Sequence, residues 1–318
     1  MTLTQLGAFV LVARLGSVRA AAEALGVSEP AVSQALAVLR KYLGDELLVR
    51  GPGGMTLTAG GARLLGIASQ MVSLGAEAEA QVRAARGAPE QLRVVAESVL
   101  AEYVVPGLLE AFESRVRAVD ASVGVARSDA MGALVHEHLA DVALGHGPGP
   151  VGLPGMVSHP VMRARLVVVG APGSPRRAPV DWLVDPAFDD PASPVAAVLA
   201  RLRVPEAAVR VYPSQAAALV AAAEGEGLAP VLEHLVLDEL TRGRLRRVAV
   251  PGTPCEACWY AGALSLERRA PVVTSFLRFL ATPVAMQLMH RPRQGTPPGR
   301  FRPPVYVTIW SGPGWGPG

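Results

Sequence analysis

Residues 17–43 read SVRAAAEALGVSEPAVSQALAVLRKYL. Two short helices joined by a tight turn account for this stretch. Ser17 is placed to cap the first helix, because its hydroxyl oxygen can accept from an orphan N–H of the first turn. Ala20, Ala21 and Ala24 give that helix a small-residue face, which lets another helix approach closely. Gly26 falls where the first helix must stop, and glycine takes a left-handed C-cap without strain. Ser28 caps the second helix, and Pro30 lies in its first turn, where a missing N–H costs nothing. Val32, Leu36, Leu39 and Leu43 recur at helical spacing and turn inward. Glu29, Pro30, Ser33, Gln34, Ala37 and Lys41 remain on the outer face. Helix, glycine turn and capped helix with a polar outer face form the helix-turn-helix pattern, whose second helix enters the DNA major groove. The plain alternative is a helical hairpin within a globular domain.

The flanks favour the first reading. Leu47 to Arg50, Gly51 to Gly54 and Met55 to Thr58 read as strand, glycine turn and strand, a wing directly after the second helix. Upstream, Thr2 to Arg14 is a helix with Leu3, Leu6, Phe9, Val10 and Ala13 as its inner stripe. Downstream, Thr58 to about Arg86 is one helix, roughly 40 Å long at 1.5 Å per residue. Its residues Leu64, Ile67, Met71, Leu74, Ala78 and Ala85 follow a near-heptad, with Val82 close to register. So narrow a stripe suits a seam between the helices of two chains; the bland alternative is an amphipathic helix packed on its own domain. Gly87-Ala88-Pro89 ends the helix.

From Leu3 to about Arg86 the chain resembles the N-terminal half of a LysR-type transcriptional regulator. The resemblance rests on Leu6, Phe9, Gly16-Ser17, Ala20-Ala21, Leu25, Val27-Ser28, Pro30-Ala31-Val32-Ser33, Leu39, Leu43-Gly44, Leu47, Arg50, Leu57-Thr58 and Gly60-Gly61, a long match without gaps. Glu29 stands where the family usually has Gln, Gln34 where it often has Arg, Ala35 where it has Gln, and Arg40 where it has an acidic residue. These lie in or beside the reading helix, so the base preference of relatives does not carry over. The resemblance implies a homodimer joined through the long helix, with assembly into tetramers. Candidate DNA contacts are Ser28, Glu29, Pro30, Ser33 and Gln34 at the helix start, with Lys41 and Arg50 on phosphate or minor groove. Each could equally be solvated surface.

From Gln91 the texture changes to alternating short strands and helices. Leu92–Ala96, a helix over Val99–Arg115, Ala121–Ala126, a helix over Asp129–Leu139 and Asp141–Gly145 make βαβαβ, which implies a parallel sheet covered by helices. Met156–His159 and Leu166–Val169 are two further strands around a glycine- and proline-rich loop. A second unit has strands at Pro179–Val184 and Ala208–Tyr212, helices at Pro194–Leu202 and Ser214–Glu224, a further helix through Leu240, strands at Leu245–Val250 and Trp259–Leu264, and a final helix over Thr274–His290. The order and lengths resemble the periplasmic-binding-protein-like effector domain of the same family, best around Ser214 to Pro230.

The expected class is therefore a multidomain α/β protein: a winged helix-turn-helix (1–58), a linker and dimerisation helix (59–88), and an effector domain (89–292). The last comprises subdomain I (89–162 and 265–292) and subdomain II (163–264), with hinges near Met162 and Leu264. Helix starts at the sheet edge turn N–H groups into the crevice and suit anions. The resemblance places a small-molecule effector there, near Ser98, Val99, Ser128 and Asp129 and facing subdomain II; Ser214 and His146 are further candidates. Each serine could equally be only a helix cap. Residues 293–318 form a Pro-, Gly- and Arg-rich tail that the family does not explain, with one strand-like run, Val305–Trp310.

Composition removes other classes. Half of the 318 residues are hydrophobic, enough for a sizeable core, yet no apolar run reaches a membrane span. The N-terminus lacks the pattern of a signal peptide, so a cytoplasmic protein is expected. The net charge is +3, and seven arginines follow Glu267, after which no acidic residue occurs. Cys255-x-x-Cys258 has no further ligands at zinc spacing, so no metal or other cofactor is expected. A redox pair is the alternative, and with it a regulator controlled by thiol oxidation or by a protein partner instead of a small ligand. A non-regulatory solute-binding or enzymatic α/β protein would need an export signal or a catalytic set, and the sequence shows neither.

Overall fold

The computed structural model describes residues 1–51, 54–116, 118–146, 155–174, 180–190 and 192–290. The expected tail over 293–318 and most of the loop before Met156 lie outside these residues.

Helices α1 (Leu3–Leu15), α2 (Val18–Leu25) and α3 (Glu29–Leu43) are each closed by a left-handed glycine: Gly16, Gly26 and Gly44. Ser17 and Ser28 cap α2 and α3, accepting from the N–H groups of Ala20 and Ala31. Phe9, Leu25, Val32, Leu36 and Leu39 are buried among the three helices. Strands β1 (Leu48–Gly51) and β2 (Gly54–Leu57) form the antiparallel wing. Gly54, at φ +117, presses against the end of α1, where a Cβ would stand 2.7 Å from the carbonyl oxygen of Gly16. Helix α4 (Ala59–Ala85) is a single 27-residue rod. Its first turn lies so close to the Asp45–Leu47 turn that a Cβ on Gly61 would come within 2.0 Å of the Leu47 carbonyl oxygen.

The second half begins with β3 (Glu90–Ala96), α5 (Ser98–Tyr103), α6 (Val105–Glu113), β4 (Val119–Val125), α7 (Ser128–His136) and β5 (Val142–His146). Strand β3 runs parallel to both β4 and β5, as the βαβαβ reading requires. The expected single helix after Ser98 breaks at Val104, one residue before α6 and its first-turn Pro106. The remaining elements are β6 (Met156–Gly170), β7 (Trp182–Val184), α8 (Pro194–Leu202), β8 (Val209–Val211), α9 (Gln215–Glu224), β9 (Ala229–Leu232), α10 (Leu237–Thr241), β10 (Arg246–Arg247), β11 (Cys255–Leu264), α11 (Pro271–Leu280) and α12 (Pro283–His290).

The sheet corrects the sequence reading in three places. The two strands expected at 156–159 and 166–169 are one fifteen-residue strand, β6, antiparallel to β11 over ten pairs. The sheet is consequently mixed and continuous, in the order β10-β6-β11-β5-β3-β4 with β9 also on β6. Residues 229–232, read only as an approach to a helix, form β9, whose four residues are all buried. Because β11 is laddered to β5 from Trp259 to Ala263, the chain re-enters the first α/β unit near the bulge at Trp259/Tyr260, upstream of Leu264. The short parallel pair β7–β8 lies beside β9 in the second unit.

No single helix among the described residues is long and apolar enough to cross a membrane; α11 and α12 pass that test only as a pair bent by 66°.

Candidate functional sites

The first site is the outer face of α3. Ser28, Glu29, Pro30, Ser33, Gln34 and Lys41 are all exposed, and so is Arg50 on the wing. Pro30 lies in the first turn and leaves no unsatisfied N–H. Ser28 spends one lone pair on its cap, while no side-chain hydrogen bond within the described residues holds Ser33 or Gln34. The outer face therefore presents an amide, hydroxyls and a carboxylate to solvent, the groups that can pair with base edges.

The second site is α4. Ala68 and Val72 are buried against the helix-turn-helix, and Gly75 lies so close that a Cβ would stand 2.5 Å from Leu3 Cδ1. Ile67, Met71, Leu74, Ala78 and Val82 lie on another face and are exposed, Ile67 and Leu74 by about 60%. Leu64, the first residue of the expected stripe, is partly buried against the chain's own core. The helix thus has two apolar stripes, one used within the chain and one left bare.

The third site is the crevice where the C-terminal ends of β3 and β4 meet that of β7. Ser98 and Ser128 are each the first residue of a helix, and neither is its cap. Both face carboxylates across the crevice. Ser98 Oγ donates to Asp185 Oδ2 at 3.0 Å. The Ser128 N–H donates to Asp190 Oδ2 at 2.9 Å and its hydroxyl donates to Oδ1. Arg127 Nη1 lies 2.7 Å from Asp189 Oδ1, and its Nε 3.5 Å from Asp129, which is exposed. The anion positions expected at these helix starts are filled by the chain itself. Burial raises the pKa of the Asp185 carboxyl despite the Ser98 hydroxyl, and nearby Glu97 raises it further. Burial and Asp185 likewise raise Glu102.

Behind the crevice, Glu97 is buried and accepts the backbone N–H of His146 at 2.6 Å. Trp259 Nε1 donates to His146 Nε2 at 3.0 Å, so the ring proton sits on Nδ1 and is given to Glu97. Both ring nitrogens of His146 are thereby engaged inside the protein. Gly145 permits this, since a Cβ there would stand 2.7 Å from Glu97 Oε1. Val99 is half-buried against the effector-domain core. Ser214 accepts from the Ala217 N–H and is a cap of α9.

The partners Asp185, Asp189, Asp190 and Arg127 were not among the candidates. A signal existed: three carboxylates in six residues, just after the apolar strand Trp182–Val184.

Cys255 and Cys258 are both free and half-buried on β11. Three residues apart on a strand, they point to opposite faces and their Cα atoms are about 10 Å apart, beyond the roughly 7 Å a disulfide spans. Burial raises the Cys255 thiol, away from reactive thiolate. Among the described residues, no cluster of three His, Cys, Asp or Glu side chains could hold a metal ion.

Comparison with known proteins agrees with this architecture. Residues 3–62 match the family described as bacterial regulatory helix-turn-helix protein, lysR family. Residues 85–284 match the LysR substrate binding domain. The chain is 34% identical over 322 residues to an uncharacterized HTH-type transcriptional regulator of Mycobacterium tuberculosis, covering 98% of this chain and 100% of that one. It is 30% identical over 312 residues to the HTH-type transcriptional regulator CfxR of Cupriavidus necator, covering 94% and 97%. Among solved structures, ArgP from Mycobacterium tuberculosis shares the fold with a TM-score of 0.54 at 24% identity, over 91% of this chain and 98% of that one.

Proposed function

The chain belongs to the LysR family of DNA-binding transcription regulators, which are not enzymes, and we propose that it is a cytoplasmic dimer controlled by a small anionic effector held between two α/β subdomains. The observation that carries the DNA reading is the exposed, unengaged polar face of α3 beside the wing. Gln34 can bond an adenine edge in two places, and Glu29 can accept from cytosine N4. Ser28, Pro30 and Ser33 complete the contact, and Lys41 and Arg50 fix the register on phosphate. The dimer seam is the bare stripe Ile67, Met71, Leu74 and Ala78, with Leu64 at its edge. Two dimers assemble further through their effector domains.

The effector enters the crevice between the two α/β subdomains, whose first crossing lies near Met162 and whose second lies at the Trp259/Tyr260 bulge. Its anionic group takes the position that Asp190 holds on Ser128, or that Asp185 holds on Ser98. Those positions suit a carboxylate because carboxylates already fill them. Asp129, His146, Val99 and Ser214 then border the ligand instead of anchoring it. The thiol-oxidation alternative is disfavoured by the opposed faces of Cys255 and Cys258.

A thermal-shift screen of carboxylate-bearing metabolites tests the effector reading. A stabilising ligand is expected for the wild type, and its effect is expected to vanish in Ser98→Trp, which fills the crevice, while basal DNA retention persists. A Ser98→Trp protein that still responds normally removes Ser98 from the site. Retention on DNA is expected to fall steeply with salt.

A further inference from the structure

Helix α7 is engaged at its two ends by different parts of the chain. At its start, Arg127 Nη1 lies 2.7 Å from Asp189 and the Ser128 N–H donates to Asp190 at 2.9 Å, both across the crevice. At its end stands Glu137, whose side chain is completely buried. That carboxylate collects the Ser69 hydroxyl of α4, the Arg14 guanidinium of α1 at 3.3 Å and His136 Nδ1 at 3.1 Å. Burial alone would raise Glu137, but His136, Ser69 and Arg14 outweigh it and hold the carboxyl below its ordinary range. Between the ends, Ala130 to Val135 are buried in the same apolar cluster as Phe9, Leu25 and Ala68 of the DNA-binding half. Leu139, just beyond, lines a cavity together with Leu3, Leu25 and Val72.

A nine-residue helix is a rigid rod about 13 Å long. A buried carboxylate is costly to leave without its partners, so its contact is either made or broken as a unit. We propose that α7 is a strut in cis, which carries the state of the crevice to α1 and α4 through Glu137 docked on Arg14 and Ser69. Glu137 is a positioning residue: it touches neither DNA nor effector, and it fixes the helix-turn-helix pair against the effector domain. The ligand-driven part of this proposal rests on the crevice being the effector site; the mechanical part does not.

The test is a double-mutant cycle on the full-length protein without effector. Its probe is a two-half-site DNA fragment selected by the wild type from a random library. Glu137→Gln is expected to weaken binding about fivefold, within the usual range of coupling energies, and to leave binding to a single half-site unchanged. Asp190→Ala, at the other end of α7, is expected to do the same. The double variant should be no weaker than either single one, because a strut broken at one end transmits nothing. Arg14→Gln and Ser69→Ala remove the contact from the opposite side and should reproduce Glu137→Gln, which guards against a folding defect in any one variant. If the two losses multiply, or if Glu137→Gln leaves two-half-site binding unchanged, the proposal is overturned. A non-additive cycle in a protein that binds no carboxylate metabolite would retain the strut and reject the crevice as effector site.

Discussion

The outer face of α3 and the crevice at Ser98 and Ser128 use similar materials, serines and charged groups at helix starts, yet the chain treats them in opposite ways. On α3, the side chains of Ser33 and Gln34 are exposed and make no hydrogen bond within the described residues. In the crevice, Ser98 and Ser128 are tied to Asp185 and Asp190, and Arg127 to Asp189. One surface stands open for its partner, while the other has closed upon itself. The DNA contact proposed for the first needs no rearrangement of the chain, whereas the effector proposed for the second would have to displace hydrogen bonds already made. A ligand can shift such a closed state only by its extra affinity for the opened one.

The largest effect concerns what lets the open face act twice. Met71→Glu together with Leu74→Glu places charges in the proposed seam. Sedimentation should show a monomer, and affinity for a two-half-site fragment should drop by about a hundredfold or more as avidity is lost. An unchanged mass places the seam elsewhere.

The next prediction probes the support behind the crevice. His234 stacks edge-on against Trp259, its Nε2 is buried without a hydrogen-bond partner among the described residues, and burial pushes its pKa down to about 4, with nearby His290 lowering it further. The unfolded chain takes up the proton below about 6.5, so the folded state loses stability as pH falls from there to about 4, by up to about 3 kcal/mol. Replacing His234 with Phe should flatten that part of the stability-against-pH curve, measured by urea unfolding; an unaltered curve assigns the acid sensitivity to other groups.

Asp190→Ala leaves the Ser128 N–H and hydroxyl without their partner and is expected to cost about 2 kcal/mol. Ser33→Ala on the open face should stay within about 0.5 kcal/mol. Equal costs would dissolve the contrast between the two sites. The smallest effect belongs to the proposed phosphate contacts: Lys41→Ala and Arg50→Ala should each lower the slope of log affinity against log salt by about 1.

The same contrast decides what could be read from sequence. The helix-turn-helix is local: caps, glycine stops and inward leucines lie within a few residues of one another, and Ser17, Gly26, Ser28 and Pro30 behave as their chemistry dictates. The crevice is assembled from afar. Ser98 and Asp185 are 87 residues apart, Ser128 and Asp190 are 62, and no periodicity links them. Strand β6 was divided in the sequence reading because its middle, around Arg163 and Arg165, is polar; antiparallel pairing with β11 carries it through. Strand β9 is not legible because four buried residues leading into a helical stretch carry no strand period. The bare stripe on α4 was legible as a heptad, while Leu64 at its edge was claimed by the chain's own core.

The most direct measurement is selection of bound DNA from a random-sequence library, carried out with the wild type and with the Ser33→Ala/Gln34→Ala variant, both at unaltered thermal stability. The wild type should enrich a two-fold-related site whose half-sites match one α3 each, and the double variant should enrich no sequence while still binding DNA. Enrichment of the same site by the double variant would contradict the assignment of α3 as the reading helix.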